Sequence, residues 1–142
     1  MEIRAMTIAD YDKVNELWQV TTKRALSNAD SRENIEAYLK RNEGMSQVAV
    51  DNGKIVGTVL AGHDGRRGFI YHMAVHPDYR RHHIGKKLAM KAIKKIAEDN
   101  IDKTNIYCYK DNLTGQSFWA SNGFQKREDI FFFSFNSSDL EE

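Results

Sequence analysis

The run Val75-His76-Pro77-Asp78-Tyr79-Arg80-Arg81-His82-His83-Ile84-Gly85-Lys86-Lys87-Leu88 holds three features in succession. An apolar stretch stops at the only proline of the chain, an arginine-rich loop follows, and a helical pattern starts near Gly85. From there the apolar residues fall at Ile84, Leu88, Ala92, Ile93, Ile96 and Ala97, the spacing of one helix face over about four turns. The first turn of a helix presents N–H groups without intrahelical partners, reinforced by the positive end of the dipole. That is a phosphate site, and a glycine lets the anion approach the backbone closely. Arg80, Arg81, Lys86 and Lys87 surround it with full charges. The competing reading is a solvated basic face on an amphipathic helix.

Charge distribution supports a localised anion. Lys plus Arg is 21 and Asp plus Glu is 20, a net of +1. Yet Arg80, Arg81, Lys86, Lys87, Lys91, Lys94 and Lys95 form one block, and no acidic residue lies between Asp78 and Glu98. A nucleic-acid patch would need aromatics interleaved for stacking, and this helix has none, so no nucleic-acid partner is expected.

Upstream, Glu2 to Met6 alternates as a first strand. Thr7 with Asp10 has the spacing of a capping box ahead of Tyr11, Val14, Leu17 and Trp18. Asp30 with Glu33 repeats the signal before Ile35, Tyr38 and Leu39. Asn52-Gly53 between Val48-Ala49-Val50 and Ile55-Val56 is a hairpin cue. The strand continues from Ile55 to Ala61, and Gly65 to Gly68 turns into a strand from Phe69 to Val75. Downstream, Thr104 to Tyr109 reads as a strand and Leu113 to Ala120 as a helix capped at Asn122-Gly123. Further strands are expected at Phe124 and from Ile130 to Phe135, with a frayed tail over 136–142. The order β-α-α-β-β-β-α-β-α-β-β describes an α/β fold with helices on both faces of a mixed sheet.

The 142 residues, 41% hydrophobic and 29% charged, suit a single domain over 1–142. No apolar run approaches the ~18 residues of a membrane span, and no secretory h-region follows Met1. The lone Cys108 excludes an internal disulfide, and with no CxxC motif no metal site is expected. A cytoplasmic protein without a membrane partner is the expectation.

Val75-His76-Pro77-Asp78-Tyr79-Arg80 with Ile84-Gly85-Lys86, then Asn112, then Phe118-Trp119-Ala120-Ser121-Asn122-Gly123-Phe124, resembles the GNAT acetyltransferase superfamily, best from Ile55 to Phe124. The resemblance implies a mostly antiparallel central sheet splayed between strands 4 and 5, and acetyl-CoA as co-substrate. It implies cofactor contacts at Arg80, Arg81, His82, His83, Ile84, Gly85 and Lys86 for the pyrophosphate. The backbone of Met73 and Val75 would pair with the pantetheine arm, which Asn112 would also bind. His83 stands where the phosphate motif has its first glycine, so its Cβ should crowd the loop. Trp119 stands where the family carries a tyrosine that protonates the departing thiolate, and an indole N–H is no acid near neutral pH. Trp119 reads either as a cofactor contact or as packing.

The implied reaction is direct attack by an amine on the thioester, which needs a proton acceptor because an amine has a pKa near ~10. Positions used for the base in related enzymes carry Phe69, Tyr71 and Tyr107 here. Phe69 cannot serve; Tyr71 and Tyr107 are the candidate catalytic residues, as water-ordering groups or acids, or else core aromatics. His72 has a better-suited ring, but strand alternation points it away from Tyr71 unless the strand bulges. His63 and Asp64 read as loop residues, and Cys108 as core. The partner expected is a small-molecule or peptide amine, with a possible homodimer suggested by Phe131-Phe132-Phe133 and Phe135. The alternative function is a non-catalytic acyl-CoA sensor.

Overall fold

A computed structural model describes residues 1–141. It has two compact units, Met1–Tyr107 and a second from Cys108 onward. The first unit holds the sheet. Its strands are β1 (Glu2–Ala5), β2 (Gln47–Asp51), β3 (Lys54–His63), β4 (Gly68–Val75) and β5 (Thr104–Ile106), in that spatial order. β1 to β4 are antiparallel neighbours and β5 joins β4 in parallel. Its helices are α1 (Tyr11–Thr21), α2 (Arg32–Arg41) and α3 (Ile84–Ala97).

Local chemistry explains most of these boundaries. Thr7 and Asp10 form the expected capping box, as a short 3₁₀ turn that runs into α1. Asp30 does not cap α2, contrary to expectation. Ser31 does, its hydroxyl accepting from Asn34 N–H, while Asp30 closes a preceding box with Ser27. Asn52 and Gly53 both take positive φ, +49° and +78°, which fits the twist of the β2–β3 hairpin.

Adjacent residues of a strand face opposite sides, so β3 separates two cores. One packs Val14, Leu17 and Trp18 of α1 and Ile35 of α2 on Val48, Ile55, Leu60 and Ala74. The other packs Ile84, Leu88, Ala92 and Ile96 of α3 on the opposite face. Each fully buried aliphatic side chain contributes about 1.5–3 kcal/mol. α3 lies close to the sheet at Gly57, where an added Cβ would sit 3.0 Å from Leu88 Cδ1 and 3.1 Å from Ile84 Cγ2.

β4 bulges. Leu60 pairs with Tyr71 and Thr58 with Ala74, so His72 and Met73 together oppose Val59. His72 sits there with φ +49°. The parallel ladder with β5 runs only from Gly68↔Thr104 to Ile70↔Ile106 and ends as the bulge begins. A bulge bends and twists its strand. β5 is accordingly shorter than the expected Thr104–Tyr109, and the sheet splays at this edge.

In the second unit, α4 (Leu113–Ser121) ends at Asn122, with Gly123 at φ +91°. The strands expected at Phe124 and over Ile130–Phe135 do not form among the described residues. Every residue from Gln125 to Glu141 is exposed, Phe131 at 90%, and no ladder engages the backbone. Of the tail expected to fray, Ser137–Asp139 makes one 3₁₀ turn, and Glu142 lies outside the described residues.

Candidate functional site

The loop between β4 and α3 is anchored at its start and strained at its end. His76 N–H donates to the Val56 carbonyl at 2.8 Å, and Asp78 N–H to His76 Nδ1 at 3.1 Å. The Tyr79 hydroxyl donates to Asp51 Oδ2 at 2.9 Å, a bond that also pushes the phenol pKa up. Arg81 and His83 then adopt left-handed φ of +71° and +59°. His83 therefore takes the conformation that a glycine supplies freely, and its side chain is exposed rather than crowding the loop. It is the N-cap of α3, and Lys87 N–H makes the first helical bond to its carbonyl at 3.1 Å. The amides of Ile84, Gly85 and Lys86 thus lie in the first turn, beyond any intrahelical acceptor. Arg80, Arg81, His82 and Lys86 are exposed around them, while the Ile84 side chain is 3% exposed and anchors the helix in the core.

Upstream of the loop, Met73 and Val75 are half-buried on the part of β4 that β5 does not reach. On the α1–α2 face the same strand carries an aromatic group. Tyr71 stacks on Phe69 at 6.2 Å between centroids, Tyr38 of α2 meets Tyr71 edge-on at 6.4 Å, and Tyr107 tilts against Phe69 at 5.7 Å. Tyr71 and Tyr107 keep 38% and 53% exposure. Burial, with a smaller contribution from Tyr107, pushes the Tyr71 phenol pKa up. Burial pushes that of Tyr38 up much further, and its hydroxyl has no hydrogen-bond partner.

The bulge turns His72 onto this same face. Its Nε2 lies 2.8 Å from Asp30 Oδ1, and its ring packs on Trp18 with centroids 5.1 Å apart. Strand alternation cannot show this pair; only the extra residue in β4 brings His72 to the side of α1 and α2. The sequence marks Trp18 as part of the α1 apolar face and Asp30 as a helix-boundary residue, both on the helices expected to meet the acceptor, but nothing in it joins either to His72. Of the two residues read as loop, His63 instead ends β3, paired with Gly68, and its Nε2 meets Asp99 Oδ2 at 2.9 Å, while Asp64 lies in the turn and accepts from the Arg66 and Arg67 amides.

In the second unit, Asn112 caps α4, its Oδ1 accepting from Gly115 N–H at 2.9 Å. Trp119 is 8% exposed between Phe118 and Phe124, at 4.8 and 4.9 Å, so the packing reading describes its place. Cys108 is half-buried rather than core, its Sγ 3.8 Å from the Asn112 carbonyl.

Residues 11–124 match the sequence profile of the Acetyltransferase (GNAT) family. An acetyltransferase of Yersinia pestis (strain Pestoides F) is 37% identical over 112 residues, 79% of each chain. One of Pectobacterium atrosepticum is 35% identical over the same length and share. Among solved structures, a GNAT-family acetyltransferase of Staphylococcus aureus Mu50 is 27% identical with a TM-score of 0.79, covering 96% of this chain and 94% of that one. The PaiA N-acetyltransferase of Thermoplasma acidophilum, in complex with coenzyme A, gives a TM-score of 0.77 at 21% identity, covering 91% and 92%. An aminoglycoside acetyltransferase from an uncultured soil metagenomic sample, in complex with sisomicin, gives 0.77 at 19% identity, covering 95% of each chain.

Proposed function

The chain belongs to the GNAT acetyltransferase family, and from that premise we propose that it moves the acetyl group of acetyl-CoA to a primary amine by direct attack in a ternary complex. One observation carries the reading. The stretch of β4 that β5 leaves without a ladder partner runs straight into a loop whose end is the free-amide turn of α3. An amide-bearing pantetheine arm can satisfy the strand groups at Met73 and Val75. A pyrophosphate fits the amides of Ile84, Gly85 and Lys86 among the charges of Arg80, Arg81, His82, His83 and Lys86. In the second unit, Asn112 is the residue given to the pantetheine arm by the family resemblance, while Trp119 serves the packing of its own unit. The coenzyme A complex of the Thermoplasma relative, the same fold, supports this assignment.

The acceptor class is a small-molecule or peptide amine; the aminoglycoside acetyltransferases among the structural neighbours support a small molecule. Tyr71 and Tyr107 place phenols at the open edge. The raised pKa keeps Tyr71 protonated near neutral pH, so it donates hydrogen bonds or orders water there.

Thiol release from acetyl-CoA, measured with 2-phenylethylamine, spermidine, kanamycin and a lysine-containing peptide, tests the proposal. Amine-dependent release with one of them is expected. Binding of acetyl-CoA with no release for any amine would replace an enzyme by an acyl-CoA sensor.

A further inference from the structure

We infer that His72 accepts the proton of the attacking amine and that Asp30 is the residue that positions its ring, an inference that rests on the acetyl-transfer reading above. His72 precedes Met73, whose backbone that reading gives to the pantetheine arm, so the imidazole stands one residue from the reacting end of the strand. Its Nε2 is 2.8 Å from Asp30 Oδ1, and the two side chains are only 9% and 10% exposed. Asp30 is itself fixed: Oδ2 accepts from Ser27 N–H at 3.0 Å, and its carbonyl accepts from the Tyr11 hydroxyl at 2.6 Å. A carboxylate oxygen accepts and does not donate, so Nε2 carries the hydrogen of the neutral ring. The lone pair is then on Nδ1. Trp18 against the ring limits its rotation.

Backbone strain points the same way. A histidine at φ +49° inside a strand is held in a sparsely populated region, and such outliers collect at working sites. Here the strained residue is the one that the bulge delivers beside Tyr71 on the α1–α2 face. Around the pair, Tyr11 of α1 donates to the Asp30 carbonyl, and Tyr38 of α2 meets Tyr71 of β4 edge-on. α1 also carries Asp12, Lys13 and Glu16, and α2 carries Arg32, Glu33, Lys40 and Arg41, all exposed, with Glu36 half-buried; none of them is bonded to His72, whose ring meets Asp30 and Trp18. β3 opposes the bulge with Val59 and Leu60, neither of which titrates. Tyr38 and Tyr71 both have phenols pushed up and so hold their protons. Of these groups the histidine is the one that the bulge sets beside Met73 with its ring held by a carboxylate.

The amine nitrogen forms a C–N bond to the acetyl carbonyl carbon, and the C–S bond breaks with its electron pair going to sulfur. The nitrogen's proton passes to His72 Nδ1, directly or across one water, and the imidazolium returns it to solvent or to the leaving thiolate.

Two measurements test this on the full chain. Nitrogen-15 NMR of the free protein, titrated to where the ring is uncharged, should show His72 with a pyridine-type Nδ1 and a pyrrole-type Nε2, a preference weakened in Asp30→Asn. The opposite tautomer in the parent protein overturns the inference without any assay of turnover. With whichever of 2-phenylethylamine, spermidine or kanamycin the parent acetylates, His72→Gln should lower kcat by about a hundredfold or more. It should also remove the loss of kcat/KM on acidification while keeping the thermal shift with acetyl-CoA. Added imidazole should restore part of the rate to His72→Ala. Asp30→Asn should lower kcat more than it changes KM, since its amide nitrogen favours the wrong tautomer. His72→Gln with kcat within about threefold of the parent and an unchanged pH profile overturns the inference while leaving acetyl transfer intact. A parent protein that acetylates none of the amines fails the reading beneath it, a different result.

Discussion

Asp10 gathers four donors, the weakest being the Thr7 hydroxyl at 3.5 Å from Oδ2. Arg4 Nη1 reaches Oδ2 at 2.8 Å, Arg4 Nη2 reaches Oδ1 at 2.9 Å, and Thr7 N–H donates to Oδ2 at 2.9 Å. The Arg4 bonds foremost, then the Thr7 amide, outweigh burial and hold the carboxyl below its usual pKa. A lowered folded pKa means the stabilisation is complete above the unfolded value, near ~4, and fades as pH falls through the folded one. Asp10→Asn should cost about 2 kcal/mol at neutral pH, the worth of charged hydrogen bonds at a cap. The gap should narrow as the pH is lowered below about 4, where the parent's carboxyl takes up its own proton. Urea unfolding of both proteins at the two pH values measures it, and a gap that widens on acidification refutes the assignment. This cap was legible because a capping box is a local code of two residues three apart. His72 was not, since the bulge that turns it toward Asp30 has no such code. His83 lies between: the glycine-like position was visible, but not that histidine would meet its demand by adopting φ +59° with its ring in solvent.

At the scale of elements, periodicity carried most of the first unit. The 2-residue and 3.6-residue patterns gave β1 to β4 and α1 to α3, because each buries one face against a partner that the sequence also supplies. It failed at the apolar run from Ile130 to Phe135, which reads as a strand, yet its residues are 60–90% exposed wherever large and apolar. β5 stops early for a tertiary reason, the bend of β4. The junction that sets the turn proposed for the pyrophosphate is the contact of α3 with β3 at Gly57. Valine there would bring two further methyls onto Leu88 and Ile84, both core side chains. Gly57→Val should therefore cost about 1–3 kcal/mol by overpacking, and should weaken acetyl-CoA binding because α3 must retreat from the strand that leads into its amides. Chemical denaturation and calorimetric titration measure the two. A destabilised variant with undiminished affinity would show that the start of α3 is not coupled to that contact.

For the molecule as a whole, the charge block decides how ligand and stability are linked. A net charge of +1 gives no general attraction for anions, so on the proposed reading binding comes from the block between Arg80 and Lys95 and from the amides that only the folded helix presents. Acetyl-CoA at a hundred times its Kd should then stabilise the native state by about 2.7 kcal/mol, since the unfolded chain has no such turn. For a chain of this size that raises Tm by roughly 10 °C. The shift should shrink as salt rises toward ~1 M, where the screening length falls to about 3 Å. Gly85→Glu separates this site from the fold. A glutamate in the first turn of α3 is favourable to the helix itself, by propensity and by the dipole, so the free variant should melt no lower than the parent. Its carboxylate nevertheless stands among the amides assigned to the pyrophosphate, and like charge should abolish the shift. Differential scanning fluorimetry with acetyl-CoA at low and high salt reads all of this. A full shift in Gly85→Glu, or one indifferent to salt, would move the phosphates away from the start of α3 and take the proposed cofactor site with them.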